Sequence, residues 1–172
     1  KKEMGAEYLY FWADTFFTWK KGEFEEFAEI YKDVGLPFWC QTRIETVKEE
    51  RMKLLKEIGC ARISFGIEHG NEGFRRKWID RPVSDDLMIK NFKIVEDSGI
   101  PFSVNNIIGF PHETRELAFD TIEFNRKVNA NDRNAYAFTP FHGTPLRNEC
   151  EKLGFLKYED ISRSLVAQID EN

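Results

Sequence analysis

Short segments rich in β-branched and aromatic residues alternate with longer segments of helical periodicity along this chain. The pattern predicts five strands, over residues 8–12, 38–42, 62–66, 102–108 and 135–139. Strands that alternate with helices are typical of βα units and a parallel sheet. Because a closed TIM barrel needs eight such units, we predict an α/β fold that is an open or partial (β/α) barrel.

Four helices are predicted from apolar residues spaced three and four positions apart. The four stripes are Phe24, Phe27, Ala28, Tyr31 and Val34; Met52, Leu55 and Ile58; Met88, Phe92 and Val95; and Leu117, Ala118, Thr121 and Ile122. Gly35, Gly59 and Gly99 follow three of these stripes, where a helix often ends in a left-handed residue. The remaining segment, 156–172, is predicted to be a tail helix, and residues 1–172 are treated as one domain.

Composition and charge narrow the classes of function. The 172 residues are 41% hydrophobic, 15% aromatic and 32% charged, which is typical of a folded globular domain. A net charge of −5 disfavours nucleic acid as a main ligand, and no apolar run is long enough to span a bilayer. We expect Cys40 and Cys60 to be small buried hydrophobic residues and Cys150 to lie on an exposed helix. The three cysteines form neither a disulfide framework nor a metal knuckle. We therefore predict a cytoplasmic protein.

Polar residues directly follow the predicted strands. They are Asp14, Arg43 and Glu45, Glu68 and His69, residues 105–113, and residues 139–144. In parallel α/β folds, ligands bind at the carboxyl ends of the strands. These residues therefore predict a polar pocket there, although ion pairing among rim residues would also explain them.

Four short sequence motifs follow one another along the chain. "YFWADTFF", "ISFGIEHG", "NNIIGFPHET" and "AFTPFHGTPL" together resemble the core of the radical S-adenosylmethionine (SAM) superfamily, most closely the branch often linked to a cobalamin-binding domain. The resemblance covers about residues 8–155 and implies a six-stranded partial barrel, of which this chain would hold strands two to six. It further implies an iron–sulfur enzyme that cleaves SAM to a 5′-deoxyadenosyl radical.

The resemblance also implies roles for individual residues. Asp14 would lie where the family holds the methionine amino group of SAM, and Glu68 and Arg43 would hold its amino-acid end or ribose. Asn105 to Gly109 would form the corner beside the adenine, which Thr139 and its neighbours would line through backbone groups. The matching basic residue in "KWIDRPVS" is Arg81, whose role is the least defined. No residue is predicted to be catalytic and none to bind a metal.

The family's Cys-x-x-x-Cys-x-x-Cys loop is absent from this sequence. Thiolates are the ligands of iron–sulfur clusters, so the [4Fe–4S] cluster implied by the family would have its ligands elsewhere. Because the chain begins at Lys1 and not at a methionine, we expect a segment of a longer protein with the loop and first strand upstream. The segment alone would be inactive, and cobalamin would be a further cofactor of the full-length protein.

Two other interpretations stay open. His69, His112 and His142 follow successive strands and could bind zinc in a metal-dependent hydrolase, or they could be ordinary loop residues. Alternatively, the chain could be a non-catalytic α/β binding module. The substrate is not revealed by the sequence, and an exposed edge strand predicts self-association of the segment.

Overall fold

The computed structural model describes residues 5–20, 22–157 and 159. Five strands are present: β1 (Leu9–Phe11), β2 (Phe38–Thr42), β3 (Cys60–Glu68), β4 (Phe102–Ile108) and β5 (Asp132–Ala137). Six α-helices alternate with them: α1 (Glu23–Val34), α2 (Glu49–Glu57), α3 (Glu72–Trp78), α4 (Asp85–Ser98), α5 (Arg115–Arg126) and α6 (Pro145–Lys152). A 3₁₀ turn spans Ile44–Thr46. Most of the predicted tail helix lies outside the described residues.

The five strands form one parallel sheet in the order β1-β2-β3-β4-β5. Consecutive strands are neighbours, as βα units require, and the barrel is not closed. The predicted α/β partial barrel with five parallel strands is therefore confirmed.

Strand bounds agree best in the middle of the sheet. The predicted bounds of β2 and β4 match, whereas β3 extends beyond 62–66 at both ends. The last strand begins three residues before the predicted 135–139 and ends two residues earlier. Its first residues pair with β4 from Ser103↔Asp132 onward, even though Asp132, Arg133 and Asn134 are polar.

The four predicted helices are confirmed as α1, α2, α4 and α5, and their ends follow local chemistry. The side chains of Ser84 and Thr114 accept hydrogen bonds from the backbone N–H groups of Leu87 and Leu117, which caps α4 and α5. At the other end of α4, Gly99 adopts a φ of 69° as a left-handed cap.

The apolar core lies between one face of the sheet and the helices. It includes Phe38, Ile63, Phe65, Phe102 and Val104, each less than 3% exposed. Packing the helices against this face leaves the opposite, concave face of the sheet without a helical cover. In the described part of the chain, no helix has the length and apolar character needed to cross a bilayer.

The prediction for Cys40 and Cys60 is confirmed, whereas the prediction for Cys150 is wrong. Cys40 and Cys60 are buried in the core, as predicted for small apolar residues. Cys150 was expected on an exposed helix face, but it is buried on α6. The short helix turns this side inward, along with the buried Arg147.

Candidate functional site

A cavity of about 790 Å³ lies at the carboxyl ends of the strands. Its volume is within the range of small-molecule sites, about 300–1,000 Å³. It is lined by residues from the segment after β1, from β2 to β5 or the segments that follow them, and from α6. They include Asp14, Thr15, Gln41, Arg43, Ser64, Gly66, Glu68, Ile79, Arg81, Asn105, Phe110, Tyr136, Phe138, Thr139 and Leu146.

Five of the six predicted cofactor-binding residues line this one cavity. They are Asp14, Arg43, Glu68, Asn105 and Thr139. The sixth, Gly109, lies at the predicted corner after β4 but lines a different cavity next to α5, whereas its neighbour Phe110 lines the main one. The binding roles of these residues stay predictions, because their positions show where the side chains lie and not which ligand they bind.

Four charged side chains form a connected network at the wall of the cavity. The Arg81 guanidinium donates to the Glu68 carboxylate at 3.2 Å and to the Glu45 carboxylate at 3.0 Å. Glu45 also pairs with Arg43 at 2.9 Å. Arg81 is almost fully buried, and its Nε has no hydrogen-bond partner within the described chain. An unsatisfied buried donor is costly, so the two carboxylate partners of Arg81 hold it at this wall in spite of that cost.

Glu68 reaches the cavity through an unusual backbone. Its φ is 66°, a left-handed conformation that is uncommon outside glycine. Gly66 makes room for the side chain, because a Cβ there would overlap the Glu68 carboxylate, whose Cδ would lie 2.9 Å away. The pairing register between β3 and β4 shifts over the same two residues. The strand end is thus bent to hold a carboxylate over the sheet.

Burial raises the pKa of the Glu68 carboxyl, while Arg81 and Arg43 oppose the rise. Desolvation disfavours the charged form of an acid, and a nearby guanidinium favours it. Since desolvation is the larger effect, a ligand that brings a positive charge or hydrogen-bond donors would relieve an existing cost.

A buried clasp holds the β4–α5 corner in place. The Glu113 carboxylate accepts hydrogen bonds from the backbone N–H groups of Gly109 and Phe110 through Oε2, and Oε1 lies 3.1 Å from Nε2 of His69. His69 follows β3, so the pair ties the ends of two neighbouring strands together. The clasp therefore fixes the segment that carries Phe110 into the cavity.

The hydrogen bonds of His69 define its protonation state. Its Nδ1 accepts from the backbone N–H of Asn71 at 3.0 Å, so in the neutral ring the proton sits on Nε2, which donates to Glu113. Burial lowers the pKa of His69, with Glu113 acting in the opposite direction. The ring also stacks on Phe74 at 4.2 Å. His69 is thus a neutral, structural donor.

The three predicted histidines do not share a metal site. His112 stacks on Trp78 and lies 3.2 Å from a Glu149 oxygen, while His142 is an exposed residue of the loop before α6. Within residues 5–20, 22–157 and 159, no three His, Cys, Asp or Glu side chains come together as a potential metal site. The geometric basis of the zinc hydrolase interpretation is therefore missing.

Several cavity residues were not singled out from the sequence. Gln41, Ser64 and Tyr136 line the cavity from within their strands. The positions of Gln41 and Ser64 alternate with those of the core residues on β2 and β3, as side chains do along a strand. Reading that alternation would have found these two, whereas β5 is largely exposed and shows no such pattern. Glu113 was part of a recognised motif, but its contact with His69 depends on the tertiary fold.

The comparisons with known proteins agree on one family. The profile of the Radical SAM superfamily matches residues 1–124. An uncharacterized methyltransferase of Pyrococcus horikoshii is 30% identical over 145 residues, which cover 84% of this chain and 31% of that protein. The cytidylyl-2-hydroxyethylphosphonate methyltransferase of Streptomyces wedmorensis is 25% identical over 144 residues, covering 78% of this chain and 27% of that protein. This chain thus spans about a third of the length of these relatives.

Solved structures share the fold at lower identity. The radical S-adenosylmethionine methyltransferase TsrM of Kitasatospora setae, a structure with bound cobalamin and a [4Fe–4S] cluster, superposes with a TM-score of 0.72 at 15% identity. The match covers 88% of this chain and 29% of TsrM. The likeness extends the family match beyond residue 124 at the level of architecture.

Proposed function

Because this chain belongs to the radical SAM superfamily, we propose that it forms the SAM-binding part of a radical SAM enzyme. The observation that carries the proposal is the cavity of about 790 Å³, which gathers five of the six predicted cofactor-binding residues at the carboxyl ends of the strands. Enzymes of this superfamily use SAM together with a [4Fe–4S] cluster, which supply hydrogen-abstracting radical chemistry when bound.

The residues of the cavity suit the parts of a SAM molecule. Asp14, a carboxylate that follows β1, would bind the methionine ammonium, and Arg43 would bind the carboxylate through the guanidinium that lines the cavity. Glu68 would accept from the ribose hydroxyls. Asn105 and the backbone around Thr139 would contact the adenine, whose planar edge needs donors and acceptors.

The cluster does not fit the residues of this chain. Cys40 and Cys60 are buried in the core, whereas Cys150 lies on α6, so the three thiols do not meet. We therefore propose that the cluster ligands belong to another part of the whole protein and that this chain alone binds SAM without cleaving it.

Methyl transfer is the reaction class that most of the relatives favour. Two curated relatives are described as methyltransferases and a third as a biotin synthase, and TsrM is a methyltransferase whose structure contains cobalamin. We propose the same class for the whole protein, with cobalamin as its further cofactor.

Titration calorimetry with S-adenosylhomocysteine, an unreactive analogue, tests the proposal. The chain should bind it, and Asp14→Asn should weaken binding about ten- to a hundredfold, since a charged hydrogen bond contributes about 1.5–3 kcal/mol. The matched control is Asp33→Asn, which alters an exposed carboxylate on α1 and should leave affinity unchanged. Absence of binding by the folded wild-type chain would instead favour a non-catalytic binding module.

A further inference from the structure

The concave face of the sheet differs from the packed interior of a TIM barrel, which branched aliphatic residues fill in layers. This face carries Trp39, Gln41, Ser64, Ser103 and Asn105, with few aliphatic side chains. The Ser64 and Ser103 hydroxyls hydrogen-bond at 2.8 Å. The polar side chains of this face can form hydrogen bonds with a ligand. The aromatic rings on the same face do not pack into a hydrophobic core.

Three aromatic rings form a connected surface on the β1–β2 side of this face. Tyr10 lies 4.9 Å from Trp39 and 5.2 Å from Trp12, measured between ring centroids. Tyr10 is 39% exposed and Trp12 is 79% exposed. Neighbouring residues of the same strands behave differently, since Phe11 packs against the core and Phe38 is fully buried. We call Tyr10, Trp12 and Trp39 the ring platform.

The ring platform is continuous with the cavity through hydrogen bonds. The Tyr10 hydroxyl donates to the Gln41 side chain at 3.2 Å, and the Trp39 indole N–H donates to the Ser64 hydroxyl at 3.1 Å. Gln41 and Ser64 both line the cavity. A molecule lying on the rings would therefore be next to one occupying the cavity.

We infer that the ring platform binds a planar aromatic group of the substrate. This inference rests on the proposed function, because it assigns the substrate class of the same site. Exposed aromatic surfaces bordered by polar groups mark ligand sites, and rings of this kind bind other flat rings by offset or edge-to-face contact.

The surrounding charges favour an uncharged ring. The Arg62 guanidinium lies 5.7 Å from the Trp39 ring, but it is paired with Asp132 on the other side of the face. The Gln41 amide and the Ser64 hydroxyl, which hydrogen-bond to Tyr10 and Trp39, offer neutral donors and acceptors beside the rings. Polar substituents on a neutral ring would find partners here.

Ligand-observed NMR titration with benzamide tests this inference, with cyclohexanecarboxamide as the non-aromatic counterpart of equal charge. Saturating S-adenosylhomocysteine is present throughout, so that benzamide cannot occupy the adenosyl position. Benzamide should bind about two- to tenfold more tightly than its counterpart, the range of an aromatic contact. Trp39→Leu should abolish this preference, whereas Phe119→Leu, which removes an exposed ring on α5, should preserve it.

Other outcomes overturn the inference. Equal affinity for both amides, or an unchanged preference in Trp39→Leu, would each do so. If Trp39→Leu does not fold by circular dichroism, Tyr10→Leu replaces it, because that ring is more exposed. Failure of the proposed function is seen separately, as loss of S-adenosylhomocysteine binding itself, and the assignment of the ring platform to a substrate would fall with it.

Discussion

The two faces of the sheet are made from the same strands but carry different chemistry. On the helix side, Phe38, Cys40, Ile63, Phe65 and Val104 are fully buried. On the concave side, the alternate residues are mostly polar or aromatic, and several line the cavity. Stability is therefore concentrated on one face and ligand contacts on the other, so that substitutions on the two faces should affect different measurements.

Truncation of an aromatic residue on each face is the strongest test of this comparison. Phe65 is fully buried and packs against Phe92 and Phe102, so Phe65→Ala should lower the free energy of unfolding by about 3–5 kcal/mol. Tyr136→Ala, on the concave side, removes an exposed ring and should change it by about 0.5 kcal/mol or less. Urea denaturation measures both, and similar losses would contradict the division between the faces.

Adding a methyl group to the concave face should produce a smaller, specific effect. Gly66→Ala would drive a Cβ into the Glu68 carboxylate, with an expected loss of about 1–3 kcal/mol in unfolding free energy. Combining it with Glu68→Ala removes the obstacle, so the two changes together should be less costly than their sum. A double-mutant cycle in urea measures this coupling, and strict additivity would show that Glu68 does not need the space.

The pH dependence of the unfolding free energy tests the buried His69, which follows β3 at the end of the sheet where the cavity lies. Because burial lowers the pKa of His69 below its usual 6.5, the unfolded chain takes up a proton before the folded one as the pH falls. Unfolding free energy should thus decrease below about pH 6.5, by at most about 1.4 kcal/mol per pH unit for this single group.

His69→Gln is the variant for this measurement, since glutamine keeps hydrogen-bonding capacity but does not titrate. Urea denaturation at pH 7.5 and pH 5.5 should show a smaller loss in the variant than in the wild type. The two proteins differ only at this residue, so the difference between their losses reports on His69. An equal loss in both would place the protonation elsewhere.

The central strands and the four apolar helices could be predicted because local patterns alone specify them. The β-branched and aromatic residues at 38–42 and 102–108 were sufficient to predict β2 and β4. Apolar stripes, three of them followed by glycine, were sufficient to predict the four helices. The last strand was misplaced by a few residues because it lies at the edge of the sheet, largely exposed, where hydrophobic periodicity is weak.

Features that depend on distant partners were not predictable from pattern. The short α3 has no apolar stripe and is anchored by the buried Arg75, whose guanidinium donates to the carbonyls of His69 and Val83 and to Asp85. The cavity lies at the strand ends that the sequence indicated, and the binding roles of its residues stay predictions. However, the burial of Arg81 between two carboxylates and the placement of Phe110, not Gly109, in the cavity follow from tertiary packing.

The sequential strand order has a consequence for how the molecule is assembled. Each strand pairs with the one that precedes it in the chain, and every crossover is local. Because the partner of each new strand is already present, the sheet can grow by one βα unit at a time as the chain leaves the ribosome. Each new strand then covers the hydrogen-bonding edge exposed by the previous one, which limits the time that any intermediate edge is open to other chains.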